Sequence, residues 1–184
     1  AIALHLEAML THLLALARGE RGELSAQRER VALAPLVQDV CDRFQAKAAT
    51  RELVLNCRVL AMAAAHTDPA LLRSLLTSLV DNAVEYAPCG GTVDVEASTD
   101  DDGFVLRVVN TVENLDERDL PHLFERFWRK DTARSPDGHT GLGLSLARVF
   151  AQSIGGELSA SFIGPARLAL TLAQIEPRTT HQKT

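Results

Sequence analysis

Two groups of residues in this chain have types and spacings suited to a phosphorylated ligand. Gly138, Gly141 and Gly143 stand behind a polar stretch, at the entrance to an apolar helical pattern. Glycine lets backbone N–H groups approach a ligand closely, and a helix N-terminus favours an anion. A simple helix-entry turn uses the same residues, so the spacing alone leaves both readings open. The second group is Asp81-Asn82, inside a leucine-rich helical pattern. Asn is a poor helix former, and its carbonyl oxygen is the hard donor type that Mg2+ accepts. The plainer reading is an exposed helical Asn. Other chemistry is missing. The chain has no G-x-S-x-G, no H-E-x-x-H, no Walker lysine and no complete Rossmann glycine fingerprint. His5 and His12 lie seven residues apart with no third ligand and read as solvated helix residues.

The elements that must position these residues follow from periodicity. Ile2, Leu6, Met9, Leu13 and Leu16 step by 4, 3, 4 and 3, a heptad seam that suits helix–helix packing. The seam starts without an N-cap residue, so the chain is expected to begin inside a longer helix. Gly19 and Gly22 end that helix, and Arg21 to Arg30 reads as a charged connector. Pro35 opens a second helix, and Leu53 to Val59 alternates as a strand, followed by a featureless connector over Ala61 to Ala65. Asp68-Pro69 is a strong helix start, and an apolar stripe from Leu71 to Val84 follows it. Thr92 to Ser98 and Phe104 to Val109 read as a hairpin across Asp100 to Gly103. A short helix is expected within Asp116 to Arg129, a loop over Lys130 to Thr140, and a helix over Gly141 to Ile154. Leu158 to Ile163 and Arg167 to Ala173 make a last hairpin, and Glu176 to Thr184 reads as a tail. The expected class is α+β: a two-layer sandwich with a mixed sheet of about five strands, covered on one face by helices, plus an N-terminal helix.

Composition narrows the function. The 184 residues are 46% hydrophobic and 23% charged, enough apolar material for one packed core. The net charge of -5 and the lack of a basic stripe argue against a nucleic-acid-binding module. No apolar run approaches the ~20 residues of a membrane span, and no signal-peptide pattern opens the chain. Cys41, Cys57 and Cys89 are odd in number, far apart and without metal spacing, which points to a reducing cytosol.

Three runs together resemble one family. DPALLRSLLTSLVDNAVEYAP (Asp68 to Pro88) resembles the N box of sensor histidine kinases. LPHLFERFWR (Leu120 to Arg129) resembles their F box, and HTGLGLSLARVFAQSIGGELSA (His139 to Ala160) resembles their second glycine box with its helix. Order and spacing match as well, over about residues 1 to 175. The resemblance is to the catalytic and ATP-binding domain of a bacterial two-component sensor histidine kinase. Its fold class is shared with the gyrase, chaperone and mismatch-repair ATPases, and the F box favours the kinase branch.

The resemblance implies roles. Asn82 matches the Mg2+-binding Asn, and Tyr86 the aromatic residue after it. Arg126, Arg129 and Lys130 match basic residues near the phosphates, and residues 130 to 140 the lid over ATP. Thr140, Gly141, Leu142, Gly143 and Leu144 match the glycine-box contacts to the nucleotide. Asn110 matches the Asp that accepts from adenine. ATP and Mg2+ are the implied ligands. The implied partners are the dimerisation domain of the same protein, a homodimer when whole, and a response regulator.

The domain limits that follow are 1–26, a remnant of the dimerisation helix and connector, then 27–175, the catalytic domain, and 176–184, a tail. The phosphoacceptor histidine is absent, so the chain alone is expected not to phosphorylate itself. The whole would be anchored in the inner membrane with this domain in the cytoplasm. Five departures favour an alternative, a degenerate module of the same fold acting as a signalling scaffold. Ser78 replaces an Asn, Glu85 replaces a Lys, Asn110 replaces the Asp, and Val112 and Asn114 replace the glycines of the first glycine box.

Overall fold

A computed structural model describes residues 10, 13–19, 21–100, 103–130 and 140–175. Residues 13–19 are helical (α1), and Leu16 is buried there. Ile2, Leu6 and Met9 of the expected seam, His5, His12, Gly138, His139 and the tail lie outside the described residues.

Three helices form one layer: α2 (Leu33–Thr50), α3 (Pro69–Tyr86) and α4 (Gly143–Ser153). The Asp68 side chain caps α3 by accepting from the N–H groups of Ala70 and Leu71, as the Asp-Pro pair predicts. Its other oxygen accepts from the Gln27 N–H at 2.8 Å, which ties the connector to the start of α3. The helices cover a five-stranded mixed sheet in the order β2-β4-β5-β7-β6. Its strands are β2 (Val54–Val59), β4 (Thr92–Asp100), β5 (Gly103–Thr111), β6 (Gly156–Phe162) and β7 (Arg167–Ile175). Only β2–β4 is parallel; the other three pairings are antiparallel.

Alternation puts Val93, Val95, Leu106, Val108, Leu170 and Leu172 under the helices, where they bury against Leu72, Leu75, Leu76 and Leu79 of α3. The opposite sheet face carries a polar network in which Asp94 accepts from Asn56 and pairs with Arg167. Beside it runs a shallow groove lined by Arg58, Glu96, Ser98 and Arg107.

Three expectations are corrected. The connectors on either side of α2 and β2 contain two short strands, β1 (Glu29–Ala32) and β3 (Ala64–Thr67), which pair antiparallel as a separate sheet. The F-box segment is not a helix beyond one 3-10 turn over Leu120–His122. The cysteines far apart in sequence are not all apart in space. Cys41 of α2 and Cys57 of β2 form a disulfide with Cα atoms 7.0 Å apart, leaving Cys89 free and exposed. Titrating the native protein without reductant should therefore find one reactive thiol, and three after reduction and unfolding. Three thiols before reduction would contradict the pairing.

Candidate functional site

Strand register determines which ends meet. Asn110, near the end of β5, lies between Val93 at the start of β4 and Leu168 of β7. Chain direction brings the C-terminal end of α3 to that side, because only a short turn separates Tyr86 from Thr92. The other end of α4 leads directly into Gly156, which pairs with Gln174 at the far side of the sheet. An 11-residue helix is about 16 Å long. The N-terminus of α4 therefore returns to the Asn110 side. At the far side, Arg28 donates to the Ile154 carbonyl at the close of α4, near the Asp68 cap. The fold thus brings Asn82 and Tyr86, Asn110, and Gly143 to one end of the molecule.

The Asn110 side chain is 1% exposed and on the helix face. Its amide nitrogen donates to the Thr111 carbonyl at 2.9 Å, while its carbonyl oxygen is buried without a partner among the described residues. Such an orphaned acceptor is uncommon and calls for a ligand or water. The two missing glycines behave differently. Asn114 takes φ 57, the left-handed conformation a glycine would adopt and the one Asn tolerates best among other residues. Val112 needs no such conformation and buries its side chain in the core.

The glycine-box segment is held by the F box. The Phe127 N–H donates to the Gly141 carbonyl at 2.9 Å, and both residues have positive φ, 63 and 69. A Cβ on Gly141 would stand 2.8 Å from the Phe127 backbone. The two ends of the 131–139 segment are therefore tied together, and all of the expected lid but Lys130 and Thr140 lies outside the described residues. Arg148 of α4 sits over the Phe124 ring at 5.6 Å, a further fastening of the F box to this helix. Gly143 is different: a Cβ there would meet nothing within 4 Å. Leu142 at the N-cap supplies no side-chain cap to the first turn of α4, the end of a helix that favours an anion. Leu142 and Leu144 are buried and anchor the turn, and Thr140 is half-buried at its edge.

The basic residues divide. Arg129 has Nε and one terminal nitrogen buried without partners among the described residues, so its guanidinium has donors to offer. Arg126 is exposed and partnered. Lys130 pairs with Asp119, and its Nζ lies 3.4 Å from Asp116. The Asp119 bond raises the Lys130 pKa above its usual value, against burial. Arg118, through its side chain and its backbone N–H, holds Asp116 well below the usual carboxylate range. Lys130 is thus committed to Asp116 and Asp119, just before the F box, rather than to an open site.

On α3, Asn82 is half-buried and Tyr86 is 43% exposed. Among the described residues no cluster of three or more His, Cys, Asp and Glu is placed to hold a metal. A divalent ion at Asn82 would need oxygens from its ligand, which fits a single amide donor beside phosphates. One charged residue at this end has no counterpart in the sequence reading. Lys47 of α2 reaches across to Asp81 and Glu85 of α3, at 2.8 and 3.1 Å. The partners are 34 and 38 positions away in sequence, and no spacing rule links a lysine in FQAKAAT to them.

Comparison with known proteins identifies the family and the fold. The family model "Histidine kinase-, DNA gyrase B-, and HSP90-like ATPase" matches residues 67–180. Sensor histidine kinase CusS of Escherichia coli strain K12 is 32% identical over 146 residues, 76% of this chain. The match covers 29% of CusS, so the chain spans under a third of that relative's length. Among solved structures, the nucleotide-free catalytic domain of histidine kinase ThkA superposes with a TM-score of 0.70 at 18% identity, covering 81% of this chain and 95% of that one. Full-length ShkA in complex with AMPPNP gives a TM-score of 0.81 at 21% identity, covering 93% of this chain and 36% of that one. The chain belongs to the histidine kinase-, DNA gyrase B- and HSP90-like ATPase family, and within it is a catalytic ATPase domain of the two-component sensor-kinase kind.

Proposed function

We propose that this domain binds Mg·ATP where α3 ends and α4 begins, and that the whole protein transfers the γ-phosphoryl group to a histidine of its own dimerisation domain. A response-regulator aspartate would receive it next, on the cytoplasmic side of an inner-membrane-anchored sensor. One observation carries the nucleotide reading: the buried Asn110 carbonyl oxygen, without a partner among the described residues. The amide nitrogen is committed to Thr111, so the site offers an acceptor. An acceptor matches the 6-amino group of adenine and opposes the 6-oxo group of guanine.

Around this acceptor the remaining residues divide the work. The open first turn of α4 and the bare Gly143 take phosphate oxygens, and Arg129 adds charge-assisted donors. Asn82 would offer its carbonyl oxygen to Mg2+, which when bound would neutralise phosphate charge. The domain's contribution is positioning and electrostatic stabilisation, with no covalent step of its own.

Calorimetric titration tests this directly. ATP should bind in the micromolar to submillimolar range and GTP at least about tenfold more weakly. Asn110→Leu should lower ATP affinity about tenfold, the ~1.4 kcal/mol of one lost hydrogen bond, and remove the discrimination. Equal binding of ATP and GTP by the native protein would contradict the role of Asn110. A second reading, a degenerate scaffold module, draws support from Lys130 being bound by Asp116 and Asp119 and from the buried Val112. Affinity weaker than millimolar would select it.

A further inference from the structure

The carboxylates flanking Asn82 are a difficulty for any polyanionic ligand. Asp81 precedes it, and Glu85 follows one turn later on the same polar stripe as Ser74 and Ser78. The Glu85 side chain is only 10% exposed, so water screens its charge poorly. Lys47 answers both charges with one ammonium group, 2.8 Å from Asp81 Oδ1 and 3.1 Å from Glu85 Oε2. Its own side chain is 37% exposed, between the two acids and the surface. Burial lowers its pKa and the two acids raise it, with a net upward shift, so the ammonium stays charged.

We propose that Lys47 is a positioning residue for nucleotide binding. It clamps the Asp81 and Glu85 carboxylates and cancels charge beside Asn82, so that a Mg·nucleoside triphosphate can approach the asparagine. In this chain the cation comes from α2 because α3 carries Glu85. The proposal rests on the reading of Asn82 given above. A lysine that only ties α2 to α3 would affect stability and leave ligand charge irrelevant.

The test compares the native chain with Lys47→Met and with the neutral triple variant Lys47→Met/Asp81→Asn/Glu85→Gln. Affinity for ATP is measured with and without Mg2+, and thermal unfolding is recorded alongside. Lys47→Met should weaken Mg·ATP binding about tenfold and metal-free ATP, with its larger charge, more than that. Raising the salt concentration should shrink both losses. The triple variant should return to within threefold of the native chain. Should Lys47→Met fail to fold, Lys47→Arg and the triple variant carry the test, both with near-native affinity expected. Unchanged affinity in Lys47→Met, equal losses for both ATP forms, or a triple variant that stays weak would overturn the proposal while native binding leaves the nucleotide reading intact. A native chain that binds no Mg·ATP would overturn both.

Discussion

Gly141→Ala is expected to destabilise the domain by about 2–5 kcal/mol, whereas Gly143→Ala, two residues on, keeps stability or raises it by up to about 1 kcal/mol and lowers nucleotide affinity at least about tenfold. Gly141 has φ 69, which costs an L-residue about 1–2 kcal/mol. Its Cβ would also stand 2.8 Å from the Phe127 backbone, which is itself held by the Gly141 carbonyl. Backbone cannot swing aside as a flexible side chain can, so overpacking adds about 1–3 kcal/mol. Gly143 lies in the first turn of α4 with open space where a Cβ would go. Alanine is a better helix former there by up to about 1 kcal/mol. Among the described residues nothing stands where that methyl group would go, so it would act on a bound ligand rather than on the packing. Thermal or denaturant unfolding beside an ATP titration separates the two effects. A Gly143→Ala variant that binds ATP as the native protein does would remove phosphate from the first turn of α4.

Asn82→Ala should lower Mg·ATP affinity about a hundredfold, ~2.7 kcal/mol, and abolish the difference between titrations with and without Mg2+. The fold should survive, because Asn82 is half-buried on the polar side of α3 and Ala suits a helix interior better. Neighbouring Leu79, Val80 and Ala83 keep the helix seated on the core. Loss of affinity with retained Mg2+ dependence would place the ion elsewhere. Loss of affinity with loss of stability would make Asn82 a structural residue.

Much of this arrangement could be read before the structure was in hand, for local reasons. The start of α3 follows from Asp68-Pro69 and its buried face from the leucine stripe, both of which act within a few residues. The β4–β5 hairpin follows from alternation around an acidic turn ending in Gly103. What stayed hidden is set by distance. β1 and β3 are four residues each, and AAHT has neither β-branched alternation nor turn signals; only pairing with each other makes them strands. The F-box apolar spacing suggests a helix, but Pro121, the Asp116–Asp119 turn and the positive φ of Phe127 limit it to one 3-10 turn. The Cys41–Cys57 bond and the Lys47 clamp join residues on different elements. In the proposed site, Asn82 and Gly143 are read from motif spacing alone. The spare acceptor of Asn110 and the commitment of Lys130 to Asp116 and Asp119 needed side-chain geometry.

The most direct test of the site is nuclear magnetic resonance of the side-chain amides of Asn82 and Asn110, assigned through their variants, during titration with Mg·ATP. Both pairs of amide signals should shift in step with saturation, together with the backbone signals of Gly143 and Leu144. Shifts confined to the opposite sheet face, around Arg58, Glu96 and Arg107, or no shift at millimolar nucleotide, would contradict the assignment of the site to the meeting point of α3, β5 and α4.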